Sequence, residues 1–181
     1  GIKTDNGAIT IDEYNRTSKN NIYAIGDVSG SPWLAHVASA QGYTAVNHSF
    51  GMNVIPIDYT NIPNCTYCQP QVGSLGLTEE RAIKLGKKIA IGKFSFKSSG
   101  RALATNDKRG FVKLIFDTKY GELLGAHIVG TEATEMIAEL GIAKALEATW
   151  DDLAMTIHAH PTLSEAIMEA AMDARGDSIH Q

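Results

Sequence analysis

The sequence predicts an α+β fold: an antiparallel β-sheet with flanking helices, preceded by the end of another domain. Three apolar runs, residues 88–96, 111–116 and 123–129, follow one another through short polar connections. Consecutive strands joined this tightly pair antiparallel. Two stretches carry helical periodicity, residues 131–148 and the segment from Thr162 to Ala174. Between residues 51 and 63 the composition turns to Asn, Pro and Gly, which sets a boundary near Asp58 and divides the chain into residues 1–57 and 58–181.

In chain order, Asn6-Gly7 is a hairpin turn between Lys3-Thr4 and the alternating Ala8-Ile9-Thr10-Ile11. Residues 22–25 form an apolar run that ends in Gly26-Asp27 and reads as a buried strand opening on a crevice. An acid there is placed to bond a sugar or ribitol hydroxyl, although Gly-Asp also makes an ordinary turn. Trp33-Leu34-Ala35-His36 leads into a helix rich in small residues, whose N-terminus suits an electron-rich ligand edge. His36 fits equally as a packing or capping residue.

Cys65-x-x-Cys68 invites a redox or zinc reading, but its surroundings look extended and no second Cys/His pair stands at zinc spacing. Positions three apart on a strand face opposite ways, about 10 Å apart and beyond disulfide reach. No metal site is expected. Thr78 caps a short helix that ends at Gly86. The helix of residues 131–148 carries a stripe of Met136, Ile137, Leu140, Ala143 and Leu146, with Glu132, Glu135, Glu139 and Lys144 on its wet side. Trp150 opens a further short helix, and the polar tail after Arg175 is expected to fray.

His158-Ala159-His160-Pro161-Thr162-Leu163-Ser164-Glu165 is the stretch that concentrates chemistry. Proline biases His160 to an extended backbone and ends any preceding helix. Thr162 then opens an amphipathic helix with Glu165 in its first turn. An imidazole at a rigid elbow beside a carboxylate is what a proton-transfer site needs, since the acid orients the ring and favours its charged form. Thr162-x-x-Glu165 is also a capping box, in which Glu165 serves the backbone alone.

Bulk properties exclude much. A net charge of −4 and a pI near 5.8 give no electrostatic case for nucleic acid or an acidic membrane. No apolar run approaches the ~20 residues of a membrane span, and residues 1–5 are no signal peptide. Two cysteines in 181 residues favour a reducing compartment, cytoplasmic or akin to the mitochondrial matrix. The Asn-x-Ser/Thr matches at Asn15, Asn47 and Asn64 carry no weight without secretion. There is no Gly-x-Gly-x-x-Gly, no P-loop and no nucleophile elbow. The chain has no initiator Met and opens as if in mid-fold, so it reads as a fragment.

His-Ala-His-Pro-Thr-Leu-Ser-Glu resembles the C-terminal signature of the dihydrolipoyl dehydrogenase family, within the flavoprotein pyridine nucleotide-disulfide oxidoreductases. Thr17-x-x-x-x-Ile22-Tyr23-Ala24-Ile25-Gly26-Asp27 resembles the second FAD fingerprint of the same proteins. The resemblance runs from Thr17 to Glu165. It implies that His160 is the acid–base group for a dithiol and Glu165 its partner. It implies that Asp27 holds the flavin ribitol, that Gly26 permits close approach, and that Leu34, Ala35 and His36 face the flavin ring. By that likeness residues 1–57 are the remnant of the FAD-binding region and residues 58–181 the dimerisation domain. The intact protein would oxidise dihydrolipoamide with NAD through FAD and a redox disulfide. It would be a homodimer served by lipoyl domains of 2-oxo acid dehydrogenase or glycine cleavage complexes. The helix stripe from Met136 to Leu146 and the face of Ile167, Met168, Ala171 and Met172 would form its two-fold interface. Cys68-Gln69-Pro70-Gln71 departs from the family's Thr-His-Pro-Glu, and the family's own cysteine pair lies in another domain, so Cys65 and Cys68 are not it. The 181 residues alone would be inactive. A glutathione reductase-like enzyme and a non-catalytic dimerisation or docking module are the alternatives.

Overall fold

The computed structural model describes residues 1–180, which fall into two compact units, Gly1–Tyr59 and a second from Thr60 on.

The first unit opens with a hairpin of β1 (Thr4–Asp5) and β2 (Ala8–Ile9). Asn6 and Gly7 turn it with φ of 47° and 86°, the left-handed pair that matches the twist of two adjoining strands. Residues 22–25 are not the buried strand that their hydropathy suggested. They make one isolated bridge, Arg16 with Tyr23, and Ile22 and Ile25 are about two-fifths exposed. A buried parallel strand needs neighbours on both sides, and no such neighbours occur among the described residues. The helix α1 (Ala35–Ser49) follows, with Val37, Gln41, Thr44 and Ala45 on its buried side.

The second unit is a five-stranded antiparallel sheet under helices. Its elements are β3 (Asn64–Thr66), β4 (Gln71–Gly76), α2 (Glu79–Lys84), β5 (Ile89–Ser95), α3 (Gly100–Ala104), β6 (Phe111–Asp117), β7 (Leu123–Gly130), α4 (Ala133–Ala145), α5 (Trp150–Met155) and α6 (Glu165–Arg175). Strand order is β3-β4-β7-β6-β5. Alternation along β6 divides the two faces. Val112, Leu114 and Phe116 enter the main core with α4 and α6, whereas Ile115 joins Ala82 and Leu124 in a smaller cluster beneath α2. Thr78 caps α2 by accepting from the Arg81 N–H at 3.2 Å, as its position in the sequence suggested.

Two glycines set the layer spacing. A Cβ at Gly92 would collide with the Ala170 carbonyl of α6, and one at Gly73 with the Ala133 carbonyl of α4. Both helices therefore lie directly on the sheet backbone. On α4, Met136, Ile137, Leu140 and Ala143 point into this core, as do Ile167 and Ala171 on α6. For these six residues the expectation of an intermolecular face is thus corrected, because the sheet of the same unit already buries them, whereas Met168 and Met172 of the predicted face are half-buried. The large apolar residues left exposed here include Ile142 at 65 %, Leu146 at 75 %, Met155 at 74 % and Ile157 at 96 %. Helix α6 begins at Glu165, three residues after the sequence-based start.

Cys65 lies in β3, partly buried, and Cys68 lies beyond the strand in an exposed turn; both are free thiols. Burial, with the nearby Glu135 charge adding to it, pushes the Cys65 thiol up, which disfavours a reactive thiolate.

Candidate functional site

Between the end of α5 and the start of α6 the chain crosses residues 156–164 without helix or strand, and the histidine elbow sits in this crossing. The His160–Pro161 peptide is cis. Glu165, the first residue of α6, faces back over the elbow. One carboxylate oxygen accepts from the Thr162 N–H at 2.8 Å, and the other lies 2.9 Å from His160 Nδ1.

The capping box is therefore half made. The acid takes its backbone bond, but the Thr162 hydroxyl donates to the Ala159 carbonyl at 2.7 Å instead of accepting from the helix. Ser164 makes no side-chain cap either. Glu165 serves backbone and imidazole at once, which joins the two readings of the sequence. Burial alone would raise its carboxyl pKa. The Thr162 N–H and the His160 ring outweigh burial and hold the pKa below the usual value, so the acid is ionised at neutral pH.

An ionised carboxylate only accepts, so His160 donates through Nδ1 and leaves Nε2 as the basic nitrogen. Nε2 has no hydrogen-bond partner among the described residues, and the His160 side chain is 74 % exposed. The ring borders a concavity of about 310 Å³ lined also by Ser98, Gly100, Leu103, Met168 and His180. Gly100, the first residue of α3, would place a Cβ 3.6 Å from His160 Cε1.

Two further His–Glu pairs surround this site, and sequence spacing showed neither. His158 Nε2 lies 2.7 Å from Glu139 Oε1, and its Nδ1 lies 3.0 Å from the Thr156 carbonyl. The Glu139 carboxylate holds the His158 pKa above its ordinary value, against the opposing effect of burial. Glu139 is therefore not simply on the wet side of its helix. The tail is also tied down: His180 Nδ1 lies 2.6 Å from Glu169 Oε1, on a carboxylate only 4 % exposed. These partners are 19 and 11 residues apart, with no periodicity to reveal them.

In the first unit the predicted cofactor residues come together around the start of α1. Gly26 has φ of 70°, and a Cβ there would stand 3.4 Å from Ala38 Cβ. Its N–H donates to Gln41 Oε1 at 2.7 Å, while Gln41 Nε2 donates to Tyr59 Oη at 2.9 Å. Buried Gln41 thus fixes the Gly26–Asp27 turn, a role that its polarity in a helix of small residues could have signalled. Asp27 is exposed, and its carboxylate has no partner among the described residues. Leu34 opens α1 without a side-chain cap, and Ala35 and His36 form its exposed first turn. An exposed carboxylate beside a close glycine turn and an uncapped helix start leaves room for a hydroxyl-bearing chain beside a ring edge. Among the described residues no group of three or more His, Cys, Asp or Glu could hold a metal ion, and no helix is long and apolar enough to cross a membrane.

Comparison with known proteins supports both units. Residues 62–171 match the family model for the pyridine nucleotide-disulphide oxidoreductase dimerisation domain, and residues 1–42 match that for pyridine nucleotide-disulphide oxidoreductase. The dihydrolipoyl dehydrogenase of Rhizobium etli is 50 % identical over 177 residues, covering 97 % of this chain and 37 % of that protein. The crystal structure of LpdA from Mycobacterium tuberculosis superposes with a TM-score of 0.89 at 30 % identity, over 94 % of this chain and 38 % of that one. The HOCl-induced flavoprotein disulfide reductase RclA from Escherichia coli gives 0.87 at 27 % identity, over 94 % and 40 %. The chain thus spans well under half the length of the proteins it matches.

Proposed function

The chain belongs to the pyridine nucleotide-disulphide oxidoreductase family, and from that premise we propose that it supplies the acid–base pair and the subunit interface of a dihydrolipoyl dehydrogenase. The observation that carries this reading is the His160–Glu165 pair: one nitrogen is fixed on an ionised acid and the other is presented outward. The reaction is the oxidation of a protein-bound dihydrolipoamide by NAD, giving lipoamide, NADH and a proton. His160 Nε2 takes the proton from a substrate thiol and leaves a thiolate, the form that attacks a disulfide. Glu165 holds the ring in the Nδ1–H tautomer while Nε2 is basic and stabilises the imidazolium once it is protonated. An exposed ring whose Nε2 has no partner among the described residues is suited to serve a thiol on a second polypeptide. Ile142, Leu146, Met155 and Ile157 supply apolar surface for a homodimer, and lipoyl domains are the expected carriers of substrate.

When bound, FAD would pass the electron pair from the thiols to NAD. Asp27 would hold its ribitol hydroxyls, Gly26 would allow close approach, and the first turn of α1, with Leu34, Ala35 and His36, would face its ring. We assign residues 1–57 to the flavin-binding region and residues 58–181 to the interface domain. The 181 residues alone should show no turnover with added FAD.

A general acid–base group commonly contributes 10²–10⁴-fold, so His160→Ala in the full-length enzyme should cost at least about a hundredfold in kcat. A loss below about tenfold would remove the role. The likeness to RclA favours a second reading, a sister disulfide reductase; assaying lipoamide against other disulfides separates the two.

A further inference from the structure

We infer that His158 and Glu139 form a positioning clamp for His160, the pair fixing the crossing segment against α4 so that the catalytic imidazole stands where Glu165 can hold it. This rests on the reading of His160 as the acid–base group.

The clamp is needed because main-chain bonding does not secure the segment. From Ile157 to Thr162 no residue takes part in a backbone–backbone hydrogen bond among the described residues. Ile157, Ala159, His160 and Pro161 are exposed. Between them the side chain of His158 goes inward and is only 7 % exposed. Both of its nitrogens meet acceptors, the Glu139 carboxylate and the Thr156 carbonyl, so the ring in its imidazolium form donates to each, the form that the raised pKa favours. Two fixed directions at one planar ring determine its orientation as well as its place. Downstream, the Thr162–Ala159 and Thr162–Glu165 bonds complete the hold. His160 lies between these anchors with one bond of its own, so its placement follows from theirs. Misplacing a catalytic group by about 1 Å can cost on the order of a hundredfold.

The test uses the full-length flavoprotein with His158→Gln, Glu139→Gln and the double substitution. A glutamine at 158 can donate to Glu139 but would set its carbonyl against that of Thr156, so the clamp is lost. Glu139→Gln keeps an acceptor and is the milder change. His158→Gln should lower kcat for dihydrolipoamide about tenfold with KM within about twofold. Reduction of a dye by NADH through the flavin, which bypasses the thiols, should be unchanged. The double variant should fall no further than His158→Gln alone, because both act through one bond. Glu139→Gln should show a smaller loss of the same pattern, and it serves as the test if His158→Gln is not recovered folded. A kcat within about twofold of wild type in both single variants, or dye reduction falling in parallel with kcat, overturns the clamp. If His160→Ala itself costs under about tenfold, the acid–base reading fails instead.

Discussion

In the first unit Ala24, Val37 and Ala45 are the buried apolar residues, while Trp33, Tyr43, Phe50 and Ile55 are 71, 73, 81 and 89 % exposed. In the second, both faces of one sheet are covered, and Phe96, Phe116, Leu114, Ile128, Leu140 and Ile167 are fully enclosed. Apolar burial is the main favourable term in folding, so the second unit carries the means of its own stability and the first does not. The difference follows the proposed division of labour. The proposed proton-handling pair stands on a self-supporting platform, whereas the residues assigned to the cofactor sit on a unit that leaves many of its large apolar side chains exposed.

Amide hydrogen exchange gives the widest separation between the units. Amides of β6 and β7 should exchange at least roughly a thousandfold more slowly than those of α1; equal protection would erase the contrast. Core truncation comes next. Ile167→Ala should destabilise the second unit by about 3–4 kcal/mol. Val37→Ala, at an equally buried position, should move the main thermal transition by less than about 1 kcal/mol, because that transition belongs to the other unit. Gly92→Ala should cost about 2 kcal/mol, since the added carbon meets backbone that moves only if α6 lifts. A neutral result by denaturant unfolding would show that the helix is not seated on the strand.

The smallest effect is a pH dependence sited wholly in the second unit. His158 has its pKa raised on folding. Its stabilisation is therefore complete below the unfolded value of about 6.5 and is lost as pH rises through the folded value. The gap in melting temperature between wild type and His158→Gln should narrow over that rise. Glu165 works in the opposite sense: its lowered pKa gives stability above about pH 4.5 that disappears on acidification.

Much of this was legible in the residues because local rules and the tertiary fold agree. The Asn6-Gly7 turn, the Thr78 cap and the three strands between residues 88 and 130 each form where their chemistry places them. Residues 22–25 were misread because apolar content cannot supply the neighbouring strands that a buried strand requires. The stripe on α4 was found but its partner was not, since periodicity gives a face and not what covers it. The elbow was visible because His160 and Glu165 are five residues apart, within one turn and one helix start. Glu139 and Glu169 were invisible as partners because only the packing of helices brings them to His158 and His180.

Helix α6 rests on β5 with no side chain between Gly92 and the Ala170 carbonyl. Glu165 is borne by that same helix, so a contact between peptide units helps to set the acid's height above the sheet. Rotamer changes and ordinary drift among neighbouring side chains would leave it in register with the imidazole. An enzyme line could thus rewrite most of this surface for new carriers or compartments while the spacing of the proposed His160–Glu165 pair stayed put, with position 92 the place where a single methyl group would disturb it.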